Sequence, residues 1–420
     1  MGLPLVVITR TAGGIGRLGQ DAGEGVAALV MGGIAIVDGA QLNTVYKLFS
    51  PAGAEAIGLT AANDLASKVL IRYHIDEFFR MNPTGELHVM LVAQTVTMAQ
   101  MCDKANNYLK KVLRDGQGRI RKAGVVRNPT AVYSATLDDG LDADVLAAIP
   151  KAQELADDEY ANDRPINNIL IEGREYNGAV GDAANIRTLS GGPYRDVTVC
   201  IAQDPAVAAL DVEYTPTAAV GAYLGAATNK AASECFAQPI PKFNLTSVAD
   251  GRFLSAYLSN NNPLSNLAEA DIDALHDKGY VFARTFNNFD GVYFNQSHVC
   301  APETDDYNAS EMRDVINRAV RLARPVLIPL LNSTNFPVEA GTGRIERRVA
   351  AGIEADIRTA LEAMSSDVSV IQTVLVDPTK DDFGQDYPSF LVDRVLRVVI
   401  GLIPKGKAEQ ILVTIGYTTG

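Results

Sequence analysis

The sequence contains no tryptophan, and only four histidines and four cysteines among its 420 residues. The missing tryptophan removes one common anchor of carbohydrate and protein-docking sites, though it excludes neither. The cysteines, Cys102, Cys200, Cys235 and Cys300, form no Cys-x-x-Cys pair. A chain of this length needs no disulfide staples, so all four are read as reduced and mostly buried. Positive charge is also short: 37 Lys+Arg against 50 Asp+Glu give a formal net charge of −13. Binding nucleic acid irrespective of sequence needs a basic surface that displaces counterions, and docking on an anionic membrane needs the same sign. Both are disfavoured. The longest apolar runs, such as residues 395–404, are too short and too interrupted by charge to cross a bilayer. Residues 1–30 lack the basic start, apolar stretch and cleavage site of a signal peptide, so a protein folded in a cytoplasm is the expectation.

Recognisable catalytic spacings are missing as well. There is no GxSxG elbow, no HExxH helix and no GxxxxGK[ST] phosphate loop. Catalytic groups can be scattered in sequence, but with so few histidines and no constellation the expectation is a protein that is not an enzyme and needs no cofactor or metal.

What is present is ample core material, with 47% hydrophobic against 21% charged residues, and length for two or three domains. Residues 3–10 read as a short strand with proline near its start. Residues 13–25 carry too many glycines for a regular element and read as an extended arm. Gly25-Val-Ala-Ala-Leu-Val-Met-Gly32 is a compact apolar run typical of a buried strand. Strands are then expected at residues 87–93, 120–126, 167–172 and 197–202, alternating with helices at 61–80, 96–114 and 142–161. That rhythm predicts an α/β fold with a doubly wound, mostly parallel sheet. Residues 217–236 are rich in small side chains and predict a closely packed helix. Residues 237–268, rich in Pro, Asn and Ser, read as a long irregular connection and predict a domain boundary. Beyond it come a hairpin around Asn287-Asn-Phe-Asp290, helices at 308–327 and 344–364, and β-rich runs at 368–376, 392–403 and 410–417.

Each site-like pattern has a bland competitor. Gly14-x-Gly16-x-x-Gly19 matches a dinucleotide fingerprint, but a packed helix should follow and more glycines follow instead. Asp38, at the offset of a ribose carboxylate, lies in a Val-Asp-Gly turn. A chance match in a glycine-rich arm is the preferred reading. His298-Val-Cys300 offers two soft metal ligands where a structural zinc site wants four. Asp138, Asp139, Asp142 and Asp144 lack the glutamate of a calcium loop and sit where carboxylates cap a helix. The arginines of the two late helices, Arg313, Arg318, Arg321, Arg324, Arg344, Arg347 and Arg348, form a basic surface that suits an acidic partner. Pairing with local carboxylates on a solvated face is an equal alternative.

Taken in order, these segments resemble contractile phage tail-sheath proteins. The run Gly25–Gly32 is similar to that family's buried "GVAAxVG" strand. Pro216-Thr-Ala-Ala-Val-Gly-Ala-Tyr-Leu-Gly225 resembles its helix of small residues, and Gly279-Tyr-Val-Phe-Ala-Arg-Thr-Phe286 its "GYxxxRTF" strand pair. The two long helices and closing strand look like the sheath C-terminal domain, in the divergent sheath-like branch of prophages and phage-tail-like injection systems. The resemblance implies an extended arm (1–25), an outer α/β domain (26–265) and an inner C-terminal assembly domain (266–420), which is α+β and completed by the N-terminal arm. It further implies six-fold rings stacked helically around a tail tube, with baseplate and terminator proteins as further partners, in a virion tail or tail-like particle assembled in a bacterial cytoplasm. Neither nucleic acid nor a membrane is touched directly. Strands carried on the arms would pair with neighbouring subunits through Leu3, Leu5, Val6, Val7 and Ile8 at one end and Ile411, Leu412, Val413, Ile415 and Tyr417 at the other. The late-helix arginines would face the tube or another partner. The rivals are another tail polymer, such as a tube or baseplate component, and a Rossmann-type NAD-dependent oxidoreductase resting on the glycine motif alone.

Overall fold

The computed structural model describes residues 25–381 and 383–409. The glycine motif at 14–19 and every arm residue named above lie outside them. The run Val26–Gly33 forms β1 and is buried along its whole length, as expected of a strand covered on both faces. Around it a six-stranded sheet is built from β2 (Val45–Leu48), β3 (Glu86–Ala93), β4 (Lys122–Val126), β5 (Asn168–Glu172) and β6 (Val197–Cys200), in the order β2-β3-β1-β4-β5-β6. Every pairing is parallel except that of β2 with β3. The molecule is thus mixed α/β with a parallel-rich sheet. Numbered among themselves, the five parallel strands run 2-1-3-4-5. With right-handed crossovers, that order places the β1–β3 connection on one face and the later connections on the other.

Helix α1 (Ile71–Met81) lies in the first crossover, α2 (Met98–Cys102) and α3 (Leu109–Asp115) in the second, and α4 (Ala143–Ala161) in the third. Sequence periodicity predicts one helix over residues 61–80, but the chain breaks it into Ala61–Ser67 and α1. Lys68 turns left-handed at φ 53°, and the Asp64 carboxylate caps the new start by accepting from the amides of Arg72 and Tyr73. Likewise residues 96–114 divide at Asn107, which has φ 58°. The acidic cluster behaves as a cap, with the Asp142 side chain accepting from the Asp144 amide at the start of α4.

The small-residue segment forms α5 (Val220–Thr228), packed across α1 and over β4. Its glycines explain the composition: a Cβ on Gly221 would fall 2.1 Å from the His74 carbonyl oxygen, and one on Gly225 2.5 Å from that of Phe78. Beyond the expected boundary, a hairpin of β7 (Ala283–Phe286) and β8 (Phe289–Phe294) follows. Its approach adds to the edge of the main sheet, since Val281 exchanges backbone hydrogen bonds with Val199 and Ile201 beside β6. Tyr280, Phe282 and Phe294 therefore lie in the same large core as β1.

A second core gathers residues of α6 (Ser310–Leu327), α7 (Arg347–Leu361), β9 (Val368–Val376) and β10 (Val398–Pro404). Here β9 and β10 pair antiparallel and α7 lies against β9. Among the described residues no helix is long and apolar enough to cross a membrane.

Candidate functional site: a charged joint and an open sheet

Helix α6 stands where the two cores meet. Its sequence is amphipathic, yet side chains all around it are buried. The apolar stripe Val315, Ala319, Leu322 and Ala323 joins the second core. The polar stripe turns the other way, onto the amino ends of three parallel strands. Asp314 there accepts hydrogen bonds from Nζ of Lys122, the first residue of β4, at 2.8 and 2.9 Å, and from Nζ of Lys230 at 2.6 Å. Asn167, just before β5, donates to Asp314 at 2.7 Å and accepts from Asn317 at 2.9 Å. Arg313 pairs with Asp196, just before β6, at 2.6 Å.

The side chains of Lys122, Lys230 and Asp314 are all 0% exposed. Burial alone would raise the Asp314 carboxyl, but the two ammonium groups hold it below its ordinary value. Taking such charges from water costs several kcal/mol per ion, so the cluster persists only because each charge is matched and hydrogen-bonded. What the arrangement provides is mechanical: it ties the C-terminal unit to the large sheet as one body.

The seven late-helix arginines are placed as follows. Arg313 and Arg321 are buried inside the subunit. Arg318 pairs with Asp367, and Arg324 with Asp163. Arg344 reaches Asp377 at 3.1 Å and the Tyr387 carbonyl at 2.8 Å. Arg347, with its side chain 64% exposed, pairs with Glu354 at 2.6 Å. Arg348 is exposed. Sequence reasoning did not single out Lys122, Lys230 or Asn167, and read Asp314 only as a local carboxylate for the late-helix arginines on a solvated face. The available signal was faint: polar residues at the first positions of otherwise apolar strands.

The carboxyl end of the sheet, where doubly wound folds take ligands, is filled. No helix follows β1; the chain turns through Asp38, at φ 55°, into antiparallel β2, so no helix amino end faces a phosphate there. Between β1 and β4, Asn128 donates to the Gly32 carbonyl at 2.9 Å and accepts from the Leu70 amide at 3.3 Å. A neighbouring network joins Glu172 to the Arg127 amide at 2.9 Å and Arg127 to Asp144 at 3.0 Å. Burial pushes the Glu172 carboxyl up to about 7. His298, of the His-x-Cys pair, contacts Arg187 at 3.0 Å and His276 at 3.3 Å, and Cys300 is buried in the large core.

On the far side of the second core, β9 and β10 form a sheet of two strands, and among the described residues neither has a further partner. Val370 is 49% exposed and Ile403 40%. Two strands alone are marginal in water, and free edges with exposed apolar residues invite pairing with another chain.

Comparisons with known proteins agree with this architecture. A family model described as "DUF2586, N-terminal domain" matches residues 3–298. Among solved structures, the chain is similar to the helical sheath of the anti-feeding prophage in its contracted state, with TM-score 0.59 and 12% identity over 100% of both chains. It is similar to a chain of the anti-feeding prophage baseplate, with TM-score 0.56 and 12% identity over 100% of both. It also resembles the contracted sheath complex of an extracellular contractile injection system, PVC, with TM-score 0.56 and 11% identity over 100% of this chain and 98% of that one. No curated protein matches the sequence. At these identities the likeness shows a common fold.

Proposed function

The chain belongs to the family described as DUF2586, N-terminal domain, and from that premise we propose that it is a structural subunit of a contractile tail sheath rather than an enzyme. The observation that carries the reading is a fold shared over the whole chain with contractile sheath subunits. The sheet of β9 and β10, two-stranded among the described residues, supports it, because a subunit that polymerises by strand exchange needs an acceptor edge. In this reading subunits form six-fold rings stacked helically around a tail tube. Residues 3–8 of one neighbour and 411–417 of another extend the open sheet, completing the inner domain. The outer domain is proposed at residues 26–265 and the inner one at 266–420, the hairpin of β7 and β8 packing from the inner segment onto the outer core, with α6 as the joint. Contraction is then a rigid-body change of packing in which the exchanged strands act as hinges and the charged joint keeps each subunit intact. Arg347 and Arg348, exposed at the start of α7, are proposed as the members of the arginine set that meet a tube or another acidic partner. The partners are further copies of the chain, the tube protein, and baseplate and terminator proteins. The setting is a virion tail or tail-like particle assembled in a bacterial cytoplasm.

A place in the baseplate is the second reading, favoured by the likeness to a baseplate chain. Cross-linking tests the strand exchange. In a Cys235→Ser background, single cysteines at Val399 and Val413 should form disulfides between copies in assembled material only. Their absence, with polymer present, would contradict the exchange. Truncation before residue 21 or after Glu409 should leave a folded outer domain and no tubes.

A further inference from the structure

After β10 the chain does not remain with its own sheet. Within residues 405–409 it returns to the beginning of α6, where Lys407 Nζ lies 2.8 Å from Glu311 Oε1 and 2.9 Å from Gln296 Oε1. Gln296 also donates through Nε2 to Glu409 Oε1 at 3.0 Å. The second Glu311 oxygen accepts from the Ser297 hydroxyl. The Glu311 side chain is 5% exposed and that of Lys407 23%. Burial would raise the Glu311 carboxyl, but Lys407 and Lys230 hold it below its ordinary value. Burial would likewise lower the Lys407 ammonium, and Glu311 keeps it above its ordinary value. A segment reading Pro404-Lys-Gly-Lys-Ala-Glu409, polar and containing a glycine, would by composition be solvated. Lys407 is instead drawn against Gln296 and the start of α6.

The contact does not stand alone. Glu311 and Asp314 lie one turn apart on α6, and Lys230 bonds Asp314 while its charge also lowers Glu311. Lys122 connects Asp314 to β4. A run of alternating charges, Lys407–Glu311–Lys230–Asp314–Lys122, thus leads from the C-terminal segment to the centre of the large sheet.

We propose that the Lys407–Glu311–Gln296 contact is a clamp that fixes residues 405–409, the root of the C-terminal arm, at the start of α6 and not on the sheet of β9 and β10. The proposal rests on the sheath reading for its consequence: when the subunit turns as one body, the root of the arm, held at α6, launches the arm in a fixed direction. Electrostatic matching and hydrogen bonds hold the clamp, so its strength depends on charge and not on shape alone.

The test uses the full chain and trypsin cleavage of the Lys405–Gly406 bond, each rate being normalised to a peptide of the same sequence. Glu311→Gln leaves the cleavage sequence untouched, and Lys407→Gln provides a second variant should the first fold poorly. Each is expected to raise cleavage about tenfold, as loss of a charged hydrogen bond predicts, with no further gain in the double variant. Lys407→Arg is expected to stay near wild type. Unchanged cleavage in both single variants overturns the clamp. Under assembling conditions the released variants should lose ordered polymer; polymer equal to wild type despite faster cleavage overturns the launching role. If the wild-type chain forms no polymer at all, the sheath reading falls, while the cleavage rates still decide the clamp.

Discussion

Neutralising Asp314 is the perturbation that bears most directly on the joint. Asp314→Asn keeps the size of the side chain but leaves the ammonium groups of Lys122 and Lys230, both fully buried, without their counter-charge. Breaking a buried ion pair by removing one partner costs about 3–5 kcal/mol, because the remaining charge is stranded. Lys122→Met should cost less, about 1–3 kcal/mol, since Asp314 keeps Lys230 and Asn167. Replacing all three by apolar residues (Lys122→Met, Lys230→Met, Asp314→Leu) should come within about 2 kcal/mol of wild type, as no charge of the triad is then left without its partners. Urea unfolding of the unassembled chain, followed by circular dichroism, gives these differences. An Asp314→Asn cost under about 1 kcal/mol, or a triple variant less stable than Asp314→Asn, would refute the reasoning.

Three further outcomes are expected. Gly221→Ala gains about 1 kcal/mol of helix propensity, but its Cβ would meet the His74 carbonyl at 2.1 Å. The backbone clash wins, and a loss of about 3 kcal/mol or failure to fold should appear in thermal denaturation; a more stable variant would mean the α1–α5 contact is wrong. Glu172 is raised from 4.5 to about 7, so the folded state holds its proton more tightly than the unfolded state. Its contribution therefore grows as pH falls from 7 towards 4.5 and is absent above 7. At about 1.4 kcal/mol per unit, the stability of wild type relative to Glu172→Gln should be about 3 kcal/mol more favourable at pH 4.5 than at pH 8; urea titrations giving equal differences would contradict this. Arg347→Ala with Arg348→Ala removes two exposed side chains and the Arg347–Glu354 pair, so stability should change by less than about 1 kcal/mol. Co-sedimentation with the tube protein should fall, and undiminished co-sedimentation would remove these two residues from the tube-facing surface.

The parts of the fold legible in the sequence are those where one local signal decides. The compact apolar run of β1, bounded by glycines, is typical of a buried strand and is one, and the small residues of α5 announced a close helix contact now seen at His74 and Phe78. Helix breaks were hidden because Lys68 carries no sequence sign of its left-handed turn, and Asn107, a residue that tolerates one, lies within a continuous helical pattern. The joint was illegible for a different reason. An amphipathic helix has one apolar face, and its other face is read by default as facing solvent or a partner. In α6 that polar face is covered by the chain's own strands, with Asp314 meeting Lys122 from 192 residues away. Helical periodicity shows that Arg313 and Asp314 lie off the apolar stripe; only the packing of the second core against the first shows what they meet.

The central claim is that the chain polymerises into a sheath, and negative-stain electron microscopy of the purified protein, with and without tail tube protein, tests it most directly. The account predicts hollow tubes or stacked rings with six-fold end views, appearing at high concentration or on the tube. A monomer or dimer at every concentration and salt, with the tube protein present, would contradict it.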